Sequence, residues 1–208
     1  MRFQGQVALI SAAGAGIGRA TALIIAREGG TVVGVDVDPV ALDRLTADVA
    51  GAGGRALALQ ADALDAAAVE GVVRRTVDAY GRIDILVNAV GGSTIVSRPA
   101  ATLDELSLEE WQALLHFNLT ATFLLSHAVV PVMKRQGAGK IVNLASIAGR
   151  GVSQSSSSRL PASRSCSMEA FMPGGALSEN TMRSLTQSPG IFAPDFCPTA
   201  RHSSISFL

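Results

Sequence analysis

Five short aliphatic runs recur through the first 150 residues, and segments with helical spacing separate each run from the next. The runs are QVALIS (6–11), TVVGVD (31–36), RALALQAD (55–62), IDILV within RIDILVNAVGG, and AGKIVNLAS (138–146). They show little polar alternation, which marks strands buried on both faces, and such strands belong to parallel sheets covered by helices. The intervening segments supply the helices. GRATALIIAREGG stops at Gly29-Gly30, a second helix starts at Pro39 and runs to about Ala50, and DAAAVEGVVRRTVDAYG forms a third. After a loop over roughly 92–106, a long helix is expected over about 107–135, with Trp111, Leu114, Leu115, Leu119 and Phe123 at helical intervals. Right-handed crossovers then give a doubly wound parallel α/β sheet with helices on both faces.

This order stops near residue 150. Residues 151–208 are rich in Ser and Pro, open on an SSSS run, and contain no lysine and no valine after Val152. By composition they read as an irregular or disordered tail attached to an α/β domain at 1–150.

Charge narrows the partners. Lys plus Arg number 17 and Asp plus Glu number 17, so there is no electrostatic case for nucleic acid or an anionic membrane. MRFQGQVALIS is too short an apolar run for a signal peptide, and ATFLLSHAVVPVM is too short to span a bilayer. The expected compartment is the cytoplasm. Cys166 and Cys197 lack metal-ligand spacing and read as free thiols. His116 and His127 stand eleven apart on the long helix, without the i,i+4 spacing of a metal pair, so no metal site is expected.

The first strand runs into ISAAGAGIGRAT, which opens the first helix. A phosphate there would meet free backbone N–H groups and the positive end of the helix dipole. The G-x-G-x-x-G spacing does not fit, because its third position, counted from Gly14, is Arg19. A hydroxyl residue followed by a looser glycine pattern does fit: Ser11, Ala12, Ala13, Gly14, Ala15, Gly16, Ile17, Gly18. The bland alternative is a flexible Gly/Ala turn with no ligand. Asp36 ends the second strand about twenty residues later. A carboxylate there accepts ribose hydroxyls and repels a 2′-phosphate, which favours NAD over NADP. Its alternative reading is a helix-capping acid before DPVAL.

Taken in order and spacing, these residues resemble the classical short-chain dehydrogenase/reductase family over residues 5–149. The matching stretches are the glycine turn SAAGAGIG, Asp62 in QADALD, the strand-four motif Asn88, Ala89, Val90, Gly91, Asn118 in LLHFNLTATF, and Ser146 in IVNLASIAG. The resemblance implies a Rossmann-like fold. It assigns cofactor contacts to Ser11, Gly14, Gly16, Ile17, Gly18, Asp36, Asp62, Ala63, Asn88, Ala89 and Gly91. Ser146 would orient the substrate oxygen and Asn118 would hold a water. The sequence departs from the family pattern at Ala12, where a glycine is usual, and at Ala89 and Val90.

The resemblance also implies a small secondary alcohol or ketone as substrate, homo-oligomers built through the long helix and the one after it, and a tyrosine as general acid/base. A phenol titrates near pH ~10 in water and needs a nearby lysine to work at neutral pH. The tyrosine is due about thirteen residues after Ser146, where Arg159 stands, and the lysine at Ser163. The chain's one tyrosine is Tyr80, before strand four, and its lysines are Lys134 and Lys140. The expectation is therefore a chain of oxidoreductase descent with impaired turnover. The alternatives are a nucleotide-binding remnant without catalysis, or an unstable product of a shifted reading frame or altered gene end. Without its second helix the oligomer is in doubt, and the fifth strand would lie near a bare sheet edge.

Overall fold

The computed structural model describes residues 1–99, 101 and 104–146. The expected tail at 151–208, its boundary near 150, and positions 159 and 163 lie outside the described residues. Residues Met1–Leu144 form one compact unit.

The chain alternates as its pattern requires: β1 (Val7–Ser11), α1 (Gly16–Arg27), β2 (Thr31–Asp36), α2 (Pro39–Gly51), β3 (Arg55–Gln60), α3 (Ala66–Tyr80), β4 (Ile85–Asn88), α4 (Leu108–Leu115), a π-helical turn (His116–Thr120), α5 (Ala121–Gln136) and β5 (Lys140–Asn143). All neighbouring strands are parallel, in the order β3-β2-β1-β4-β5. Leu9 lies level with Val33 on one side and Leu86 on the other. The two-residue side-chain period then sorts the core. Leu9, Val33, Val35 and Leu86 face α3 and α5, where Val69, Val72, Leu125 and Val129 meet them. Ala8, Ile10, Val32 and Val87 face α1 and α2, against Ala22, Ile25, Leu42 and Leu45. Leu9, Leu86, Leu125 and Val129 are wholly inaccessible to solvent, and burying each side chain contributes about 1.5–3 kcal/mol.

Local chemistry sets the boundaries. Asp38, not Asp36, caps α2: its carboxylate accepts from the N–H groups of Val40 and Ala41, and Pro39 occupies the first turn. Ser107 and Glu110 close a capping box on α4. Gly137, at φ 72°, ends α5. Three expectations need correcting. The third strand stops at Gln60 rather than Asp62, because Asp62 turns the chain by accepting from Leu64 N at 2.9 Å. The fifth strand is only Lys140–Asn143, followed by one more ladder bond from Leu144 N to Asn88 O at 3.0 Å. The long helix is continuous from Leu108 to Gln136, but a π turn interrupts it at His116–Thr120. Its 29 residues are long and apolar enough to cross a bilayer, yet Ala121, Leu125 and Val129 lie fully buried against the sheet. β5 borders the sheet among the described residues, with Ile141 and Val142 half-buried.

Candidate functional site

After β1 the chain builds β2 and β3 on one side, then crosses over to β4 on the other. In doubly wound sheets the crevice outside the strand carboxyl ends at such a switch point is the ligand site. The loops that leave β1 and β4 therefore frame it here.

The loop from β1 is the glycine turn. Ala15 precedes α1 without any side-chain cap, and the first turn of α1 holds no acidic residue, so its N–H groups keep no local anion. Gly16 sits at φ +53° with open space where a side chain would stand. A β-carbon on Gly14 would lie 2.6 Å from Ala41 Cβ and 2.9 Å from the Asp36 carboxylate, and one on Gly18 would collide with the Ala12 carbonyl. The turn is thus a cradle of bare backbone at a helix N-terminus, which is what a pyrophosphate requires. Ala12, the position where glycine is usual, is held at φ 49°, the one left-handed non-glycine residue among those described. Ile17 projects from the first turn with 66% of its surface exposed.

Asp36 closes the turn from the side. Its Oδ2 accepts from Gly14 N at 2.9 Å and its Oδ1 from Asp38 N at 3.1 Å. Asp62 stands exposed two residues past the end of the neighbouring β3, and Ala63 beside it is buried. Ser11 is buried and lies between strands: its Oγ accepts from Ala89 N at 3.0 Å and donates to Val87 O at 3.4 Å. The Ser11 hydroxyl therefore ties the glycine turn to the end of β4 rather than facing the crevice.

β4 delivers the second wall. Asn88 is buried, and its Nδ2 donates to Asn143 Oδ1 at 2.8 Å and Ser126 Oγ at 3.1 Å, while its own Oδ1 has no partner among the described residues. Gly91 is exposed, and a β-carbon there would press on Asn118 Oδ1 at 2.9 Å. Asn118 lies in the π turn and engages both backbone groups of one residue: its Oδ1 accepts from Gly92 N at 2.8 Å and its Nδ2 donates to Gly92 O at 2.9 Å. The same Nδ2 donates to Leu114 O at 2.9 Å, where the α-helical ladder gives way to the π turn. The structure thus brings Ser11, Gly14, Gly16, Ile17, Gly18, Asp36, Asn88, Ala89, Gly91 and Asn118 together within one unit. Ser146 follows that unit in the chain and is exposed.

A model of the short chain dehydrogenase family matches residues 6–163. The chain belongs to the short chain dehydrogenase family. The match runs past the 5–149 stretch that carries the motifs and includes positions 159 and 163. The chain is 40% identical over 145 residues to a 3-oxoacyl-acyl-carrier-protein reductase of Synechocystis sp., covering 69% of this chain and 57% of that protein. It is 38% identical over 149 residues to the 3-oxoacyl-acyl-carrier-protein reductase FabG of Thermotoga maritima, covering 72% and 58%. Among solved structures, NAD+-bound xylitol dehydrogenase is similar with a TM-score of 0.64 at 33% identity, covering 72% of this chain and 56% of that one. The chain therefore spans less than two thirds of the length of these relatives. Short chain dehydrogenases bind NAD(P), and the bare cradle above fits the pyrophosphate of either form.

Sequence reasoning missed the partners of two groups. Asn143, level with Asn88 across β4 and β5, carried no motif. Glu110 tethers the loop after β4, and its only sequence signal was the S-x-x-E of a capping box.

Proposed function

We propose that this chain binds NAD in preference to NADP and descends from an oxidoreductase of secondary alcohols and ketones, with turnover impaired. The observation that carries the reading is the Asp36 carboxylate fixed against Gly14, which sets a negative charge beside the phosphate cradle. Its remaining lone pairs suit two ribose hydroxyls, and its charge opposes a 2′-phosphate. The turn and the N-terminus of α1 hold the pyrophosphate. Ile17 and the Asn88–Gly91 segment border the nicotinamide end, and Asp62 and Ala63 the adenine. When bound, the nicotinamide supplies hydride exchange with a carbinol or carbonyl carbon.

The chain must manage the accompanying proton. In this reading Ser146 orients the substrate oxygen and Asn118 holds a water. At position 159 stands an arginine, which does not surrender its proton and cannot serve as the base. At 163 a serine carries no charge to lower a neighbouring pKa. Loss of a general acid/base costs about 10²–10⁴ in rate. A binding module without turnover is the second reading, favoured by that same pair of residues. The cytoplasm is the compartment consistent with either. Self-association through the long helix is supported by Leu115, Leu119 and Phe123, all exposed along it.

The test is a titration of the full chain with NADH and NADPH, read as energy transfer from Trp111, its single tryptophan, followed by turnover assays with secondary alcohols. NADH binding at least tenfold tighter than NADPH, with turnover far below that of an intact family member, supports the proposal. Binding with no turnover at all leaves the module. Equal or absent binding of the two nucleotides overturns the NAD assignment.

A further inference from the structure

The loop after β4 borders the switch-point crevice, and two residues on the long helix fasten it. Asn118 grips Gly92 through both its N–H and its carbonyl. Eight residues earlier, Glu110 grips the next part of the loop. Ser97 Oγ donates to Glu110 Oε1 at 2.9 Å, and the Arg98 guanidinium stands 3.7 Å from Oε2. Glu110 is itself fixed, because Oε2 accepts from Ser107 N at 3.1 Å while its own N–H donates to Ser107 Oγ at 3.1 Å. Arg98 also donates to the Glu105 carbonyl. Val96, between the two anchors, is buried. Most of this wiring exceeds what capping a helix needs: a capping box uses only the Ser107 contacts, whereas Glu110 spends its other oxygen and its charge on the loop.

We propose that Glu110 is a positioning residue which, acting with Asn118, sets the strap Gly92–Arg98 as a fixed wall of the dinucleotide crevice. The proposal rests on the reading of that crevice as a dinucleotide site. An ordered wall does not pay its ordering entropy at the moment of binding, so a loosened strap binds ligand more weakly. Ser97 and Arg98 need not touch the ligand; they act through the position of the backbone from Gly92 onward.

The experiment compares the full wild-type chain with E110A, E110Q and S97A. Three quantities are read: hydrogen exchange of the Gly92 and Val96 amides, NADH affinity by energy transfer from Trp111, and melting temperature. E110A should raise exchange at the strap about tenfold or more and weaken NADH severalfold, while β2 and α2 exchange as in wild type. E110Q keeps one oxygen for the Ser107 amide and turns an NH2 toward Ser97, whose hydroxyl can accept from it, but it loses the charge that faces Arg98. It should therefore restore the helix cap and only part of the strap's order and NADH affinity. S97A should loosen the strap while leaving the helix cap intact. Unchanged strap exchange in both E110A and S97A overturns the clamp. Looser exchange with unchanged NADH affinity overturns the strap's part in binding. A wild type that binds no NADH overturns the dinucleotide reading and with it the wall, whereas the clamp is still decided by exchange.

Discussion

Asp36 Oδ2 accepts a hydrogen bond from the Gly14 amide at 2.9 Å, so the acid at the end of β2 and the glycine turn after β1 form a single unit. Removing the carboxylate acts twice: it deletes the proposed ribose acceptor and frees the turn. A hydrogen bond to a charged group is worth about 1.5–3 kcal/mol. Asp36→Ala should therefore weaken NADH binding by about tenfold or more and speed exchange of the Gly14 amide. Asp36→Asn keeps an oxygen for Gly14 and loses the charge, so it should preserve the turn and narrow the preference for NADH over NADPH. Parallel titrations of both variants with both nucleotides check this.

Ala12 holds a left-handed backbone angle, φ 49°, that glycine adopts freely. For residues with a β-carbon that conformation costs roughly 1–2 kcal/mol. Glycine removes the strain but brings more freedom to the unfolded chain, which offsets roughly 0.5–1 kcal/mol. Ala12→Gly should leave a net gain of about 0.5–1 kcal/mol, visible as a higher urea midpoint at unchanged slope. An unchanged or lower midpoint means that neighbours have relaxed around the alanine.

Much of this was readable in the sequence, for identifiable reasons. The strands carry aliphatic runs with little polar alternation, so a parallel sheet between helix layers followed from the alternation of strand and helix segments, whereas the order β3-β2-β1-β4-β5 came from the structure; the glycine turn and Asp36 came with fixed spacing. The readings that slipped turn on single hydrogen bonds. Asp62 ends β3 early through one side-chain turn, and Asn118 sits where the helix changes to a π turn, which leaves the apolar spacing of 107–135 almost intact. The place of Ser11 beside the cradle is legible in the sequence, while the bond its hydroxyl oxygen accepts from Ala89 N depends on where β4 lands. The Asn88–Asn143 pair is non-local in the same way: nothing near either residue in the chain announces the other.

That pair carries the next prediction. Asn88 is buried at the end of β4, and Asn143 takes one of its amide protons at 2.8 Å. Asn143→Ala leaves that donor with Ser126 alone and strands polarity that is already incompletely paired, because Asn88 Oδ1 has no partner among the described residues. Leaving a buried polar group unsatisfied costs about 1–3 kcal/mol. Chemical denaturation should show a loss in that range, with faster exchange at Leu144, whose amide bonds Asn88 O. A loss confined to a few tenths of a kcal/mol would mean that β5 is held by its ladder and apolar contacts alone.

Acid should release the strap after β4, and the sign follows from the clamp itself. Hydrogen bonds from the Ser107 amide and the Ser97 hydroxyl, together with the Arg98 charge, hold the Glu110 carboxyl below its ordinary 4.5. A group depressed in the folded chain stabilises above its unfolded pKa, and that contribution fades as pH falls through the folded one. The clamp should thus be fully engaged at neutral pH and at pH 5, and open only below 4.5. Trp111, the residue next to Glu110, supplies the probe: its fluorescence should change below that point, ahead of any loss of helical circular dichroism. In E110Q the step should vanish, because the amide does not titrate. A step of the same size and midpoint in E110Q would assign the transition to another carboxylate.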